Sequence, residues 1–207
     1  MPDFSYEKNL NTSDLIVGLD EAGRGPWCGP VVAACVGWPH LECPMELATL
    51  LDDSKKLTPA KREFLFDKIK AATPIWGIGQ ASAKEIDEIN ILQASFLAMQ
   101  RALDEVREKG FIPQIALIDG NRLPNWPMKK QSIIGGDGKS LSIAAASILA
   151  KVTRDRIMVK LAQKYPYYGW EKNAGYGTKA HREGLTIHGI TPEHRLSYAP
   201  IKKLLGK

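Results

Sequence analysis

The sequence predicts an α/β fold, a mixed five-stranded sheet flanked by helices and followed by a C-terminal helical segment. Two observations carry this. Short runs rich in β-branched and small apolar residues, at 15–19, 31–36, 76–81, 115–118 and 131–134, are bounded by glycine, proline and acidic turns, as strands are. Two long stretches have helical periodicity instead. Leu92, Phe96, Met99 and Leu103 share one face over 91–109, and Leu141, Ala145, Ile148 and Val152 share another over 142–163. Three strands, a helix, two more strands and a long helix make a mixed sheet with helices packed on it.

Each element has its local reason. The first two strands are separated by a glycine-rich turn, which predicts a hairpin. A helix opens at Thr58-Pro59, with threonine as cap and proline in the first turn. Gly110 ends the helix over 91–109. The fourth strand runs into Asp119-Gly120, and the fifth into Gly135-Gly136-Asp137-Gly138. Residues 165–178, YPYYGWEKNAGYGT, read as an aromatic, glycine-rich loop, and one or two helices follow, broken by Pro192 and Pro200. With 207 residues and no internal repeat, the expected organisation is one domain over 1–207, with a core of 14–165 and a C-terminal loop and helices over 166–207.

Composition excludes several classes. Hydrophobic residues make up 44% and charged residues 25%, ordinary for a soluble globular chain. Lys and Arg outnumber Asp and Glu by 28 to 23, a modest surplus that permits a polyanionic partner without demonstrating one. No apolar run approaches the roughly 20 residues that span a bilayer, so no membrane association is expected. The N-terminus lacks a basic stretch followed by an apolar one, so no secretory signal is read. Cys28, Cys35 and Cys43 are odd in number and form no C-x-x-C pair, which predicts free thiols and a cytoplasmic protein. Nothing in the sequence asks for an obligate dimer, so a monomer is expected.

The chemistry is in the acids. Asp20-Glu21, Asp119 and Asp137 sit at or beyond strand ends, each followed at once by glycine or alanine-glycine. Adjacent residues of a regular strand face opposite ways, so Asp20 and Glu21 share a site only if the strand ends or bulges there, which Ala22-Gly23 invites. Taken singly, such acids cap turns or face solvent. Taken together, carboxylates without histidine or cysteine favour a hard cation, Mg²⁺ or Mn²⁺, over zinc. A pair of such ions about 4 Å apart would suit phosphodiester hydrolysis. Gly23-x-Gly25-x-x-x-Gly29 loosely matches a dinucleotide-binding loop, but the strand-like VVAACV follows where that motif needs a helix, so the match is rejected. Clustered acids also suit a proofreading-type exonuclease, and the positive charge also suits a non-catalytic nucleic-acid-binding domain.

Several motifs in colinear order, GLDEAGRGPWCGPVVAACV, LLDDSKKLT, INILQASFLAMQRAL, IDGN, SIAAASILAKVTRD, GYGT and HRLSYAPIKK, resemble the bacterial ribonuclease HII family, the type 2 ribonucleases H, from about residue 16 to 204. The resemblance implies a ribonuclease H-like core and an endonuclease that cuts the RNA strand of RNA–DNA hybrids. It also implies nicking at a ribonucleotide embedded in duplex DNA, leaving a 3′-hydroxyl. It implies Asp20, Glu21, Asp119 and Asp137 as metal-binding and catalytic carboxylates. Gly23-Arg24-Gly25 would recognise the 2′-hydroxyl region through backbone atoms, and Tyr176 would pack on the sugar beside the cut. The 2′-hydroxyl is what distinguishes RNA from DNA at one nucleotide. The chain departs from the family at Gly135 and Gly138, where a basic and a small polar residue are usual; Lys139 is the candidate replacement for the lost phosphate contact.

Supporting positions are more ambiguous. Ser54, Lys55 and Lys56 would meet backbone phosphates or be merely solvated. Ser147, Lys151 and Arg154 recur at i, i+4 and i+7, which fits a phosphate-facing stripe as well as an ordinary surface stripe. His181, His188 and His194 make no zinc pattern and read as core or surface histidines.

Overall fold

The computed structural model describes residues 1–206. Its sheet comprises β1 (Ile16–Ala22), β2 (Val31–Gly37), β3 (Trp76–Ala81), β4 (Ile115–Asp119) and β5 (Lys129–Ile133), in the order β3-β2-β1-β4-β5. β1, β2 and β3 pair antiparallel, whereas β4 and β5 join β1 in parallel, so the sheet is mixed as expected. The helices are α1 (Ser5–Lys8), α2 (Met45–Ala48), α3 (Pro59–Ala72), α4 (Ala83–Glu108), α5 (Leu141–Lys164), α6 (Trp170–Asn173), α7 (Lys179–His188) and α8 (Ala199–Leu204). Among the described residues no helix is long and apolar enough to cross a membrane.

Strand alternation sorts the core into two layers. Val17 and Leu19 of β1, with Val31, Ala33 and Cys35 of β2, pack on Ala98, Met99, Ala102 and Leu103 of α4. On the opposite face Ile16, Ile115, Leu117 and Ile133 meet Ile143 of α5, while Ala34 and Val36 meet α3 and α5. Each fully buried Val, Leu or Ile contributes about 1.5–3 kcal/mol. α5 crosses directly over β1 at Gly18, where a Cβ would stand 2.3 Å from the Ser142 carbonyl carbon. The same parity settles the acids. Asp20 follows Ile16 and Gly18 onto the α5 face, and Asp119 follows Ile115 and Leu117 onto that face too.

Three local expectations are corrected. α4 begins at Ala83 rather than 91, because Ser82 and Glu85 form a reciprocal capping box (Ser82 Oγ accepting from the Glu85 amide, 3.2 Å; Glu85 Oε2 from the Ser82 amide, 2.8 Å). The pattern hid this turn, since residues 83–89 bury only Ala83 and Ile86. The helix then breaks at Asn90 (φ 66°), whose Oδ1 accepts from the Leu92 and Gln93 amides and recaps it one residue later. Pro200 sits in the first turn of α8 and starts that helix instead of breaking it. β1 neither ends nor bulges at Asp20: its pairing with β2 runs on through Glu21↔Ala33 and Ala22↔Val32.

Behind the 23–30 turn a smaller core of Cys28, Met158, Ala162, Tyr168, Trp170, Leu185 and Ile201 seats the C-terminal segment against α5. All three cysteines are free, and burial pushes the Cys28 thiol up to about 12, so it packs as an apolar group.

Candidate metal and nucleic-acid site

The carboxyl ends of β1 and β4 open into a cleft of about 400 Å³. Asp20, Glu21, Gly23, Arg24, Gly25, Ser54, Lys55, Asp119, Ser147, Lys151 and Tyr176 all line it. The parallel register Leu19↔Ile118, continued by one residue, sets Asp20 beside Asp119. Glu21 has the opposite strand parity and borders the cleft from the strand end, where its Oε1 accepts from Arg24 (3.2 Å). Asp137 lies just outside the lining, in the 3₁₀ turn Gly136–Gly138 that follows β5. The Gly136 amide donates to Asp119 Oδ1 (2.7 Å), which ties that turn to the strand-end acid.

Gathering these charges is costly without a cation. Burial drives the Asp20 carboxyl well above the usual carboxylate range, and the Glu21, Asp119 and Asp137 charges push it further. Glu21 is raised by burial, with Arg24 opposing and Asp119 adding. Asp137 is raised by burial and then by Asp119 and Asp53, with Lys55 opposing. For Lys55, burial pulls downward, but the carboxylates of Asp137, Asp53, Asp20 and Asp119 outweigh it and raise the ammonium. Its Nζ stands 3.8 Å from Asp137 Oδ2. Among the described residues no three His, Cys, Asp or Glu side chains close into a metal cage. The acids instead lean on Arg24, Lys55 and backbone amides. An all-oxygen donor set, buried and held against mutual repulsion, fits a hard divalent cation.

The turn between β1 and β2 is held from behind by two buried arginines. Arg195 donates to the carbonyls of Gly29 (3.0 and 2.9 Å), Arg24 (3.0 Å), Pro26 (2.8 Å) and Gly23 (2.6 Å), and to Tyr198 Oη (2.9 Å). Arg154 donates to Pro30 (3.1 Å), Ala174 (3.0 Å) and Cys28 (3.3 Å) carbonyls. Arg154 therefore belongs to no surface stripe. It is buried and borders the cleft beside Ser147 and Lys151, with its guanidinium held by three carbonyls. The sequence gives Arg195 no role, although it stands in the HRLSYAPIKK motif; an arginine in a short loop looks solvated until the carbonyls it closes are visible.

The rest of the cleft divides clearly. Ser147 is buried with its Oγ donating to the Ala144 carbonyl (3.0 Å), and Lys151 pairs with Asp155 (2.7 Å). The Ser54 carbonyl accepts from Arg62 (2.9 Å), which fixes the loop that carries Lys55. Lys139 does not stand in for the residue replaced at Gly135. Its ammonium is turned onto the Ile134 carbonyl (2.7 Å), and Lys55 is the cation beside Asp137. Asp53, passed over in the sequence, faces Asp137 from the same loop.

Tyr176 stands exposed on the far wall, close enough to Gly25 that a Cβ there would meet its ring at 3.3 Å. Behind it the core is polar. His181 and His194 are buried with their Nε2 atoms 3.0 Å apart, and His188 stacks on Tyr167. Burial lowers His181, and burial together with His181 lowers His194 to about 4. His194 thus stays neutral in the folded state while the unfolded chain takes up a proton near pH 6.5. Its contribution is complete above that value and is lost as pH falls toward 4. Urea unfolding of wild type and His194→Gln from pH 7.5 to 4.5 is expected to show wild type losing stability relative to the variant. Parallel curves would contradict this.

Comparison with known proteins begins with the fold. The crystal structure of ribonuclease H2 from Pyrococcus horikoshii OT3 superposes with a TM-score of 0.75 at 30% identity, over 92% of this chain and 96% of that one. The fold and the carboxylate cleft thus define a type 2 ribonuclease H. Sequence comparison narrows it further. The Ribonuclease HII family model matches residues 17–201. Proteins named Ribonuclease HII from Granulibacter bethesdensis and Gluconobacter oxydans are 52% and 51% identical, over 100% and 99% of this chain and 92% and 97% of theirs. The chain belongs to the ribonuclease HII family, metal-dependent endonucleases that hydrolyse phosphodiester bonds.

Proposed function

We propose that this chain cuts the RNA strand of RNA–DNA hybrids and nicks duplex DNA at single embedded ribonucleotides, leaving a 3′-hydroxyl and a 5′-phosphate. One observation carries the reading: Asp20, Glu21 and Asp119, the Gly23–Gly25 turn and Tyr176 line the same cleft, with Asp137 at its edge. A site that must find one ribonucleotide needs its hydrolytic acids beside groups that feel a 2′-hydroxyl. Asp20, Glu21, Asp119 and Asp137 would hold the ions, Mn²⁺ or Mg²⁺. When bound, such ions supply water activation and offset charge on the departing oxygen.

The chain's own groups do the rest. The backbone of Gly23, Arg24 and Gly25, stiffened by Arg195, receives the ribose, and Tyr176 closes over its sugar. Lys55 and Lys151, with Ser54 and Ser147 beside them, face the flanking phosphates. Core and C-terminal segment work as one unit over 1–207, since Tyr176 and Arg195 come from the latter. The test is a blocked-end DNA duplex holding one internal ribonucleotide, incubated with Mg²⁺ or Mn²⁺. A single nick at the ribonucleotide, leaving a 3′-hydroxyl and a 5′-phosphate, is expected; exonucleolytic loss or an intact duplex would overturn the reading.

A further inference from the structure

Tyr176 sits on a strained piece of backbone. Ala174 and Gly175 before it are both left-handed (φ 48° and 85°), and a non-glycine residue adopts that region only at a cost. The turn therefore needs an external hold. The Arg154 guanidinium supplies one at the Ala174 carbonyl, and His181 Nδ1 supplies another at the Tyr176 carbonyl (3.0 Å).

The partners fix every proton in this arrangement. A carbonyl only accepts, so His181 Nδ1 carries the hydrogen. Trp170 Nε1 only donates, and it reaches His181 Nε2 at 3.2 Å, so that nitrogen is the bare one. His194 Nε2, 3.0 Å from the same atom, must then donate, which leaves His194 Nδ1 bare. There it accepts the Thr191 amide hydrogen (2.9 Å), and an amide can only donate. The chain of bonds runs one way, from the Thr191 backbone through both imidazoles to Tyr176. The apolar rings of Tyr168 and Trp170 surround it, so the hydrogen bonds do not compete with bulk water.

We propose that His181 is a positioning residue for Tyr176, held in the tautomer able to act by the Trp170 and His194 donors that share its Nε2. Neither imidazole lines the cleft, so both act through the tyrosine. The inference rests on the reading of Tyr176 as the residue that covers the ribose. Loss of the Nδ1–H bond would loosen the ring's placement and weaken ribonucleotide binding while sparing the carboxylates.

Steady-state cleavage of the singly substituted duplex tests this with two amide replacements. His181→Asn sets an N–H where Nδ1 was and keeps the bond to Tyr176; His181→Gln reaches instead to the Nε2 position and gives it up. His181→Gln is expected to raise KM about tenfold, the size of one lost hydrogen bond, with kcat within about twofold. His181→Asn should restore the wild-type KM. In a Tyr176→Ala background the His181→Gln change should add nothing further. Equal effects of Asn and Gln, or a Gln effect that persists without the tyrosine ring, would overturn the assignment, as would an unchanged KM in Tyr176→Ala. Should His181→Gln fail to fold, the ring ¹⁵N shifts of His181 in the wild-type protein read the tautomer directly: a proton on Nδ1 is expected, and a proton on Nε2 would overturn the assignment. A wild-type protein that leaves the duplex intact would instead defeat the functional reading beneath it.

Discussion

Asp20→Asn is expected to abolish cleavage and yet leave the metal-free protein at least as stable as wild type. The two effects share one cause. Asp20 is buried among Glu21, Asp119 and Asp137, so its charge is unfavourable until a cation arrives. On the proposed reading Asp20 is one of the cation's ligands, so removing its charge weakens the site, and the loss of metal-borne transition-state stabilisation is expected to cost about three orders of magnitude or more in rate. The same removal relieves repulsion in the unloaded fold. Because the folded carboxyl lies above its unfolded value, the native state takes up a proton first as pH falls, and wild type gains on the variant toward acid. Nicking rates and melting temperatures in chelator, at pH 7.5 and 5.5, check both halves. A variant that melts well below wild type at pH 7.5 would contradict the electrostatic account.

The largest stability effect is expected at Arg195. Its guanidinium is fully buried, and in place of a carboxylate its hydrogen bonds reach four carbonyls of one turn and the Tyr198 hydroxyl. Arg195→Met leaves the Gly23, Pro26 and Gly29 carbonyls without donors, the Arg24 carbonyl keeping the Tyr198 hydroxyl, and each orphaned carbonyl costs about 1–3 kcal/mol if it stays dry. Some of the turn will open to water, so a net loss of about 3–5 kcal/mol is expected. Lysine would recover little, because one ammonium cannot span the fork. Urea midpoints give the magnitude, and amide exchange over residues 23–30 gives the location. A loss under about 1 kcal/mol, with exchange unchanged, would show that the turn holds itself.

How much of this was legible beforehand follows the range of each signal. The five strands and the long helices announce themselves through local periodicity, and the Thr58 cap through local chemistry. Residues 83–89 did not, because their helix rests on a capping box and one buried isoleucine. The acids were visible as strand-end residues, but their meeting depends on a parallel register across about a hundred residues, which no local pattern encodes. Glu21 shows the limit most clearly: alternation alone denies it the site, and the structure admits it only where β4 stops at Asp119. Arg154, Arg195 and the His181–His194 pair were hidden for another reason. A buried cation satisfied by carbonyls, or a histidine satisfied by another, leaves no trace in composition or spacing.

The central claim is that four carboxylates remote in sequence serve one divalent-cation site. Calorimetric titration of Mn²⁺ into the metal-free protein tests it most directly, with wild type compared against Asp20→Asn and Asp119→Asn. Saturable binding by wild type, accompanied by a rise in melting temperature and lost in both variants, is the expected result. Equal binding by all three proteins, or none by wild type in the presence of a nucleic-acid duplex, would contradict it.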